Sequence, residues 1–278
     1  MTTVLKLGGE LLEDTAAMRR AAGGIAGLLQ QGPLVVIHGG GRAIDADLRA
    51  RGKEPRFVDG LRITDEDTLE TVVAVLAGRI NTSFVAALGA HGVRAVGLTG
   101  ADAGIGRSSQ APAFTSTAGT SVDLGLVGVP DANAAATLVS ELASLGYVPV
   151  IASIGISVEG TLLNVNADVL AAHLARAIGA DRLIVAGSTP GVFDAAGVPC
   201  PTLDQAQAEA MVAAGTARDG MIAKLRAALD ALAGGVTIVR IVDGRGTDYA
   251  NAAGTTLLPK SQSPTPKGQS PSPYEFTQ

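Results

Sequence analysis

Short runs rich in Val, Ile and Leu recur along this chain, each ending in glycine and each followed by a longer amphipathic stretch. They are TVLKLGG from Thr3, LVVIHGGG from Leu34, VRAVGLTG from Val93, YVPVIASIG from Tyr147, RLIVAGSTPG from Arg182 and VTIVRIVDG from Val236. Continuous apolar runs of this length suit strands buried on both faces. The stretches between them, such as residues 15–31, 65–91 and 220–234, carry apolar side chains at about every third or fourth position and predict helices. Strand and helix in alternation predict an α/β fold, a largely parallel sheet covered on both sides.

Two segments interrupt that rhythm. Residues 52–64 and 103–127 are polar, glycine-rich or alternating, and predict hairpins or long loops near a site. Residues 259–278 are rich in Ser, Pro and Gln and predict a disordered tail that takes no part in the fold. What remains, residues 1–258, divides loosely near residue 180 into two halves.

With 278 residues, 47% of them hydrophobic, the chain has material for a sizeable core. A formal net charge of −5 speaks against the broad basic face of a non-specific nucleic-acid binder, while leaving room for a local cationic pocket. Cys200 is the single cysteine, so neither an intramolecular disulfide nor a cysteine metal cluster can form, and a reducing, cytoplasmic compartment is expected. Lys6, Gly8 and Gly9 break the first apolar run, so no signal peptide is read there, and no segment is expected to cross a membrane.

In parallel α/β sheets ligands bind at the carboxyl ends of the strands. Lys6–Gly9, His38–Gly41, Asn164–Asp168 and Gly187–Gly191 all fall there. Glycines at a strand-to-helix turn let backbone N–H groups converge on an anion, with the helix dipole adding partial positive charge. A tight turn alone accounts for any single one of these loops; their gathering at one sheet edge is what points to phosphate. Neither GxxxxGK followed by Ser or Thr nor GxGxxG occurs, which disfavours a P-loop ATPase and a dinucleotide dehydrogenase. The missing GxSxG elbow does the same for a serine hydrolase.

Lys6 lies inside an apolar strand, where a surface charge is unexpected, and is read as functional. Lys224 has apolar neighbours in Met221, Ile222 and Leu225, and a surface-helix reading stands beside a functional one. Asn166 suits an N-cap for the helix starting near Asp168, but one cap leaves Asn164 and Asp168 unexplained. An acid with two lysines meets the need of a phosphoryl-transfer site that lacks a P-loop: cations for the moving phosphate and an anion to hold them.

Taken in order, Lys6-Leu7-Gly8-Gly9, His38-Gly39-Gly40-Gly41, Gly60-Leu61-Arg62-Ile63-Thr64, Asn164-Val165-Asn166-Ala167-Asp168 and Gly220-Met221-Ile222-Ala223-Lys224 resemble the motifs of the amino-acid kinase family. The resemblance covers residues 1 to about 258. It implies a single three-layer αβα sandwich with a mainly parallel open sheet, the lobe up to about residue 180 holding an acyl amino acid and the later lobe ATP. It further implies phosphorylation of the γ-carboxylate of N-acetyl-L-glutamate by ATP with Mg²⁺, in arginine biosynthesis, without nucleic-acid or membrane partners. Lys6 and Lys224 would then bracket the moving phosphoryl group, with Asp168 orienting both and Gly8, Gly9 and Gly40 offering N–H groups to its oxygens. Gly40, Gly41, Arg62 and Asn164 would line the acyl pocket, and Gly8, Ser188, Gly191, Val192, Phe193 and Arg218 the nucleotide's. No protein metal ligand is implied.

Ser188 departs from the pattern, since relatives carry an acid there. Arginine-inhibited members begin with an extra helix, whereas the first strand here starts by about residue 3, so an arginine-insensitive homodimer joined through the helix within 65–90 is expected. Kinases of a carrier-linked aminoadipate, glutamate, aspartate or UMP are the nearest alternatives. A weak nucleotide- or metabolite-binding regulator is another, kept open by Ser188.

Overall fold

The computed structural model describes residues 1–116, 118–134, 136–215, 217 and 220–259. In it the alternating pattern becomes a sheet between two helical layers. Among the described residues the central sheet has eight strands, in the order Thr202–Asp204, Gly254–Leu258, Ile238–Asp243, Arg182–Gly187, Thr3–Leu7, Leu34–His38, Val148–Ala152 and Ala95–Thr99. Neighbours are parallel except for Ile238–Asp243 with Gly254–Leu258. Every apolar run read from the sequence contributes a strand. The two strands the sequence did not reveal, Thr202–Asp204 and Gly254–Leu258, lie at one margin and carry threonines in place of a continuous apolar run.

Side chains of Thr3–Leu7 alternate between the two faces, as a strand requires. Val4 packs with Val35, Ile37, Val185 and the helix Ala167–Ala177, whereas Leu5 and Leu7 pack with Val36, Ile184 and the helix Thr15–Leu29. Lys6 therefore shares the face of Val4 and points at the helix Ala167–Ala177. Each fully buried Val or Leu contributes about 1.5–3 kcal/mol, which helps to offset the cost of placing an ammonium in that layer. The chain leaves Thr3–Leu7 toward Leu34–His38 on one side and later returns to Arg182–Gly187 on the other. Such a reversal opens a crevice at the carboxyl ends of the strands.

Glu66–Gly89 is a single 24-residue helix, and its stretch Ala74–Asn81 is π-helical, which the spacing of apolar residues did not predict. Asp65 caps it by accepting the Thr68 N–H. Leu76, Ile80, Phe84 and Leu88 pack into the core, while the opposite face exposes the small residues Ala74, Gly78, Thr82 and Ala86. The expectation that no segment reaches membrane-crossing length and apolarity is corrected here. This helix does so, with a mean hydropathy of 1.6 over its best window, of which 39% is buried inside the protein. Its apolarity has a use within the fold, since one face covers the sheet.

The π-helical turn places Asn81 inside the protein, where its amide donates to Val150 O at 2.8 Å and to His38 Nε2 at 3.1 Å. His38 Nδ1 in turn donates to Gly39 O at 3.1 Å. The ring is thereby fixed as the neutral tautomer protonated on Nδ1, and burial pushes its pKa down to about 4 from 6.5. An unfolded His38 takes up a proton below about pH 6.5 that the folded one refuses until about pH 4, so stability falls as pH falls through that window. At about 1.4 kcal/mol per pH unit the loss amounts to about 3 kcal/mol. Urea denaturation at pH 7.0, 5.5 and 4.5 is expected to show it, and His38→Asn to flatten the slope whatever its absolute stability.

A second sheet, Ile154–Ile156, Leu162–Val165, Val127–Pro130 and Ser108–Gln110, together with the hairpins Phe57–Val58/Leu61–Arg62 and Phe114–Thr115/Ser121–Val122, accounts for the two segments that break the sequence rhythm. The predicted tail beyond Pro259 lies outside the described residues, as does Arg218.

Candidate active site

Strand Leu162–Val165 passes into helix Ala167–Ala177 through Asn166, whose Oδ1 accepts the N–H groups of Asp168 and Val169 at 2.8 and 3.3 Å. Satisfying these orphan donors contributes about 1 kcal/mol and fixes where the helix starts. Asp168 thus sits in the first turn, where the helix dipole favours its charge, and is buried beneath the cleft.

Lys6 Nζ lies 2.8 Å from Asp168 Oδ1, and Lys224 Nζ lies 3.3 Å from Oδ2. Lys6 is nearly enclosed, with 7% of its side chain exposed, whereas Lys224, from the start of helix Gly220–Ala233, keeps 19%. Burial drives the Asp168 carboxyl upward, but the charges of Lys6 and Lys224 outweigh it and hold the group below the ordinary carboxylate range. Two ammonium groups on one ionised carboxylate leave a positive charge in excess at the floor of the cleft. An incoming anion meets that charge already ordered.

The two glycine loops interlock above this floor. A Cβ on Gly9 would lie 2.6 Å from the Cα of Gly40, and one on Gly40 would strike Ile80 and Leu76 of the π-helical stretch. Only glycine lets backbone come this close to backbone. One expected role is corrected: the Gly8 N–H donates to Ala186 O at 2.8 Å, continuing the sheet ladder, and is not directed at a ligand. The space of its missing Cβ is taken by the Glu10 carboxylate.

A cavity of about 230 Å³ opens over the floor, with Lys6, Gly9, Gly41, Arg62, Asn164 and Asp168 among its lining residues. Arg62 is no loose loop residue. Its hairpin buries it, with Nη1 2.6 Å from Asp45 Oδ1, Nη2 donating to Gly41 O at 3.3 Å and the guanidinium 4.6 Å from the Phe57 ring centroid. With five N–H donors in a planar fork, it retains donors for a ligand carboxylate. The Asn164 amide donates to Thr64 Oγ1 at 3.0 Å, tying the second sheet to the Gly60–Thr64 segment. Asp45 was missed in the sequence, and the signal was its place one helical turn after Gly41, on the same face of Gly41–Ala50.

Of the residues expected at the nucleotide, Gly8 lines this cavity, whereas Ser188, Gly191, Val192 and Phe193 do not. Ser188 donates its N–H to Glu10 Oε1 at 3.0 Å. Gly191, at φ +106°, presses against Thr255, whose hydroxyl accepts the Val192 N–H at 2.7 Å. Val192 is buried in the core and Phe193 pairs with Pro199. Lys224 is the link between the two groups of residues.

Residues 1–243 match the profile described as "Amino acid kinase family". The chain belongs to that family. Curated relatives of this amino acid kinase include the acetylglutamate kinase of Halorhodospira halophila, 39% identical over 249 residues that span 88% of this chain and 83% of the relative. The acetylglutamate kinase of Chromobacterium violaceum is 40% identical over 248 residues, spanning 88% and 84%. Among solved structures, N-acetylglutamate synthase from Neisseria gonorrhoeae, complexed with coenzyme A and N-acetyl-glutamate, superposes with a TM-score of 0.78 at 26% identity, over 94% of this chain and 60% of that one. Carbamate kinase from Giardia lamblia bound to AMP-PNP, at 16% identity and a TM-score of 0.66 over 93% and 98%, shares the amino acid kinase fold.

Proposed function

We propose that the protein transfers the γ-phosphoryl group of MgATP to the γ-carboxylate of N-acetyl-L-glutamate, giving ADP and N-acetyl-L-glutamyl 5-phosphate for arginine biosynthesis. The observation that carries this reading is the buried Lys6–Asp168–Lys224 group at the carboxyl end of the central strand, opening into a cavity with Arg62 and Asn164 on its wall. The acetylglutamate kinases at 39% and 40% identity supply the substrate.

The nucleophile is a carboxylate with an ordinary pKa near 4.3, ionised at neutral pH, so no general base is needed. His38 fits that economy, being neutral, buried and bound on both nitrogens. What the reaction requires is relief of repulsion between carboxylate and phosphate, together with in-line placement. Lys6 and Lys224 supply the charge, Asp168 holds the two ammonium groups, and Arg62 and Asn164 hold the acyl substrate. When bound, Mg²⁺ would neutralise phosphate oxygens of the nucleotide, with those oxygens and waters as most of its ligands. The lobe up to about residue 180 is the acyl side, and the later lobe, with the loop after Arg182–Gly187 and helix Gly220–Ala233, is the nucleotide side.

The test is to incubate the protein with MgATP, hydroxylamine and each candidate acid, and to look for the acyl hydroxamate. Product with N-acetyl-L-glutamate alone supports the reading. Product only with glutamate, aspartate or an aminoadipate derivative replaces the substrate, and none with any acid supports a binding protein.

We also propose a homodimer joined across the exposed face of Glu66–Gly89, where Ala74, Gly78, Thr82 and Ala86 recur every fourth residue and permit close helix approach. Ala95–Thr99, an edge strand of the sheet, lies beside it. Gly78→Glu is expected to give a monomer by sedimentation equilibrium, with the wild type sedimenting as a dimer; a wild-type monomer contradicts this.

A further inference from the structure

The loop after the central strand carries a carboxylate that the reaction above does not use. Glu10 is half-buried and lines the same cavity as Lys6 and Asp168. Its side chain folds back over Gly8, so that a Cβ on Gly8 would collide with both carboxylate oxygens. Oε1 accepts the Ser188 N–H at 3.0 Å and lies 3.2 Å from where a Cβ on Gly187 would stand. The Cε of Lys224 is 3.7 Å from that same point. Among the described residues Glu10 forms no ion pair, the Lys224 ammonium being paired with Asp168.

A carboxylate is therefore lodged between two glycines at the carboxyl ends of adjacent strands, held by one backbone N–H and near a lysine. Open glycines, an outward N–H and a lysine are also the means by which a backbone turn holds a phosphate oxygen. We propose that the Glu10 carboxylate occupies the seat of a nucleotide phosphate oxygen, and that binding must displace it. The residue then acts as a selector: it opposes metal-free nucleotide more strongly than the metal-bound form. Like charges about 4 Å apart at a protein surface repel by an amount worth on the order of tenfold or more in affinity. Mg²⁺ cancels two charges of the ligand and so weakens that repulsion. The proposal rests on the nucleotide half of the reading above.

Glu10→Gln keeps the shape and an oxygen for the Ser188 N–H but removes the charge; Glu10→Ala empties the seat. Calorimetric titrations with ATP in excess EDTA, with MgATP and with adenosine separate the contributions. Both variants are expected to bind metal-free ATP about tenfold tighter than the wild type, to change MgATP affinity less, and to leave adenosine unchanged. Unchanged affinity for metal-free ATP overturns the proposal. So does weaker MgATP binding alone, which would make Glu10 a metal ligand, and so does an equal gain for adenosine, which would mean a wider cleft. If the wild type and both variants bind none of the three, the nucleotide reading itself fails and takes the proposal with it.

Discussion

Lys6→Ala is expected to lower kcat by on the order of 10² to 10³, the scale found when a preorganised donor to the transition state is removed. The side chain is rigid and nearly enclosed, 2.8 Å from Asp168, so water cannot readily replace its charge. Most of its interaction is gained as charge builds on the phosphoryl oxygens, and such an interaction acts on kcat rather than on KM. Lys6→Arg is not a conservative rescue, because a planar fork does not fit the place of a compact ammonium. Steady-state rates with MgATP and N-acetyl-L-glutamate check this; near wild-type turnover in Lys6→Ala removes Lys6 from the mechanism.

Asp168→Asn is expected to abolish turnover and to destabilise the protein by about 3–5 kcal/mol, since removing one partner of a buried ion pair leaves the other uncompensated. Here the partner left is Lys6, with 7% of its side chain exposed, and the more exposed Lys224 suffers less. The pH dependence has a definite sign. The folded carboxyl is held below its ordinary value of 3.8, so the stability it contributes is present above that pH and is lost as pH falls through the lowered value. Asp168→Asn is expected to lose that acid limb while keeping the one due to His38. Chemical denaturation from pH 7 to pH 3 separates the two, and a variant as stable as the wild type would mean that the pair is not buried in solution.

Lys6 could be read early because a charge in a continuous apolar strand breaks a local rule, and Asp168 because a cap by Asn166 left it unexplained beside two lysines. The sheet was legible for a related reason, since strands buried on both faces must be apolar throughout. Thr202–Asp204 and Gly254–Leu258 escaped because marginal strands are free to carry threonine, and pairing rather than composition defines them. The π-helical stretch Ala74–Asn81 escaped because apolar spacing does not distinguish one extra residue per turn. Asp45 and Glu10 were passed over for the commonest of reasons, that acids near loops usually face solvent. Each acquires its role from a partner far away in sequence, Arg62 for one and Ser188 for the other.

The most direct test of the whole account is a ³¹P NMR time course of the protein with MgATP and N-acetyl-L-glutamate at neutral pH. An acyl-phosphate resonance growing as the γ-phosphate of ATP declines, and absent from Lys6→Ala, is the predicted result. ATP that stays intact, or that yields only ADP and inorganic phosphate from the outset, contradicts it.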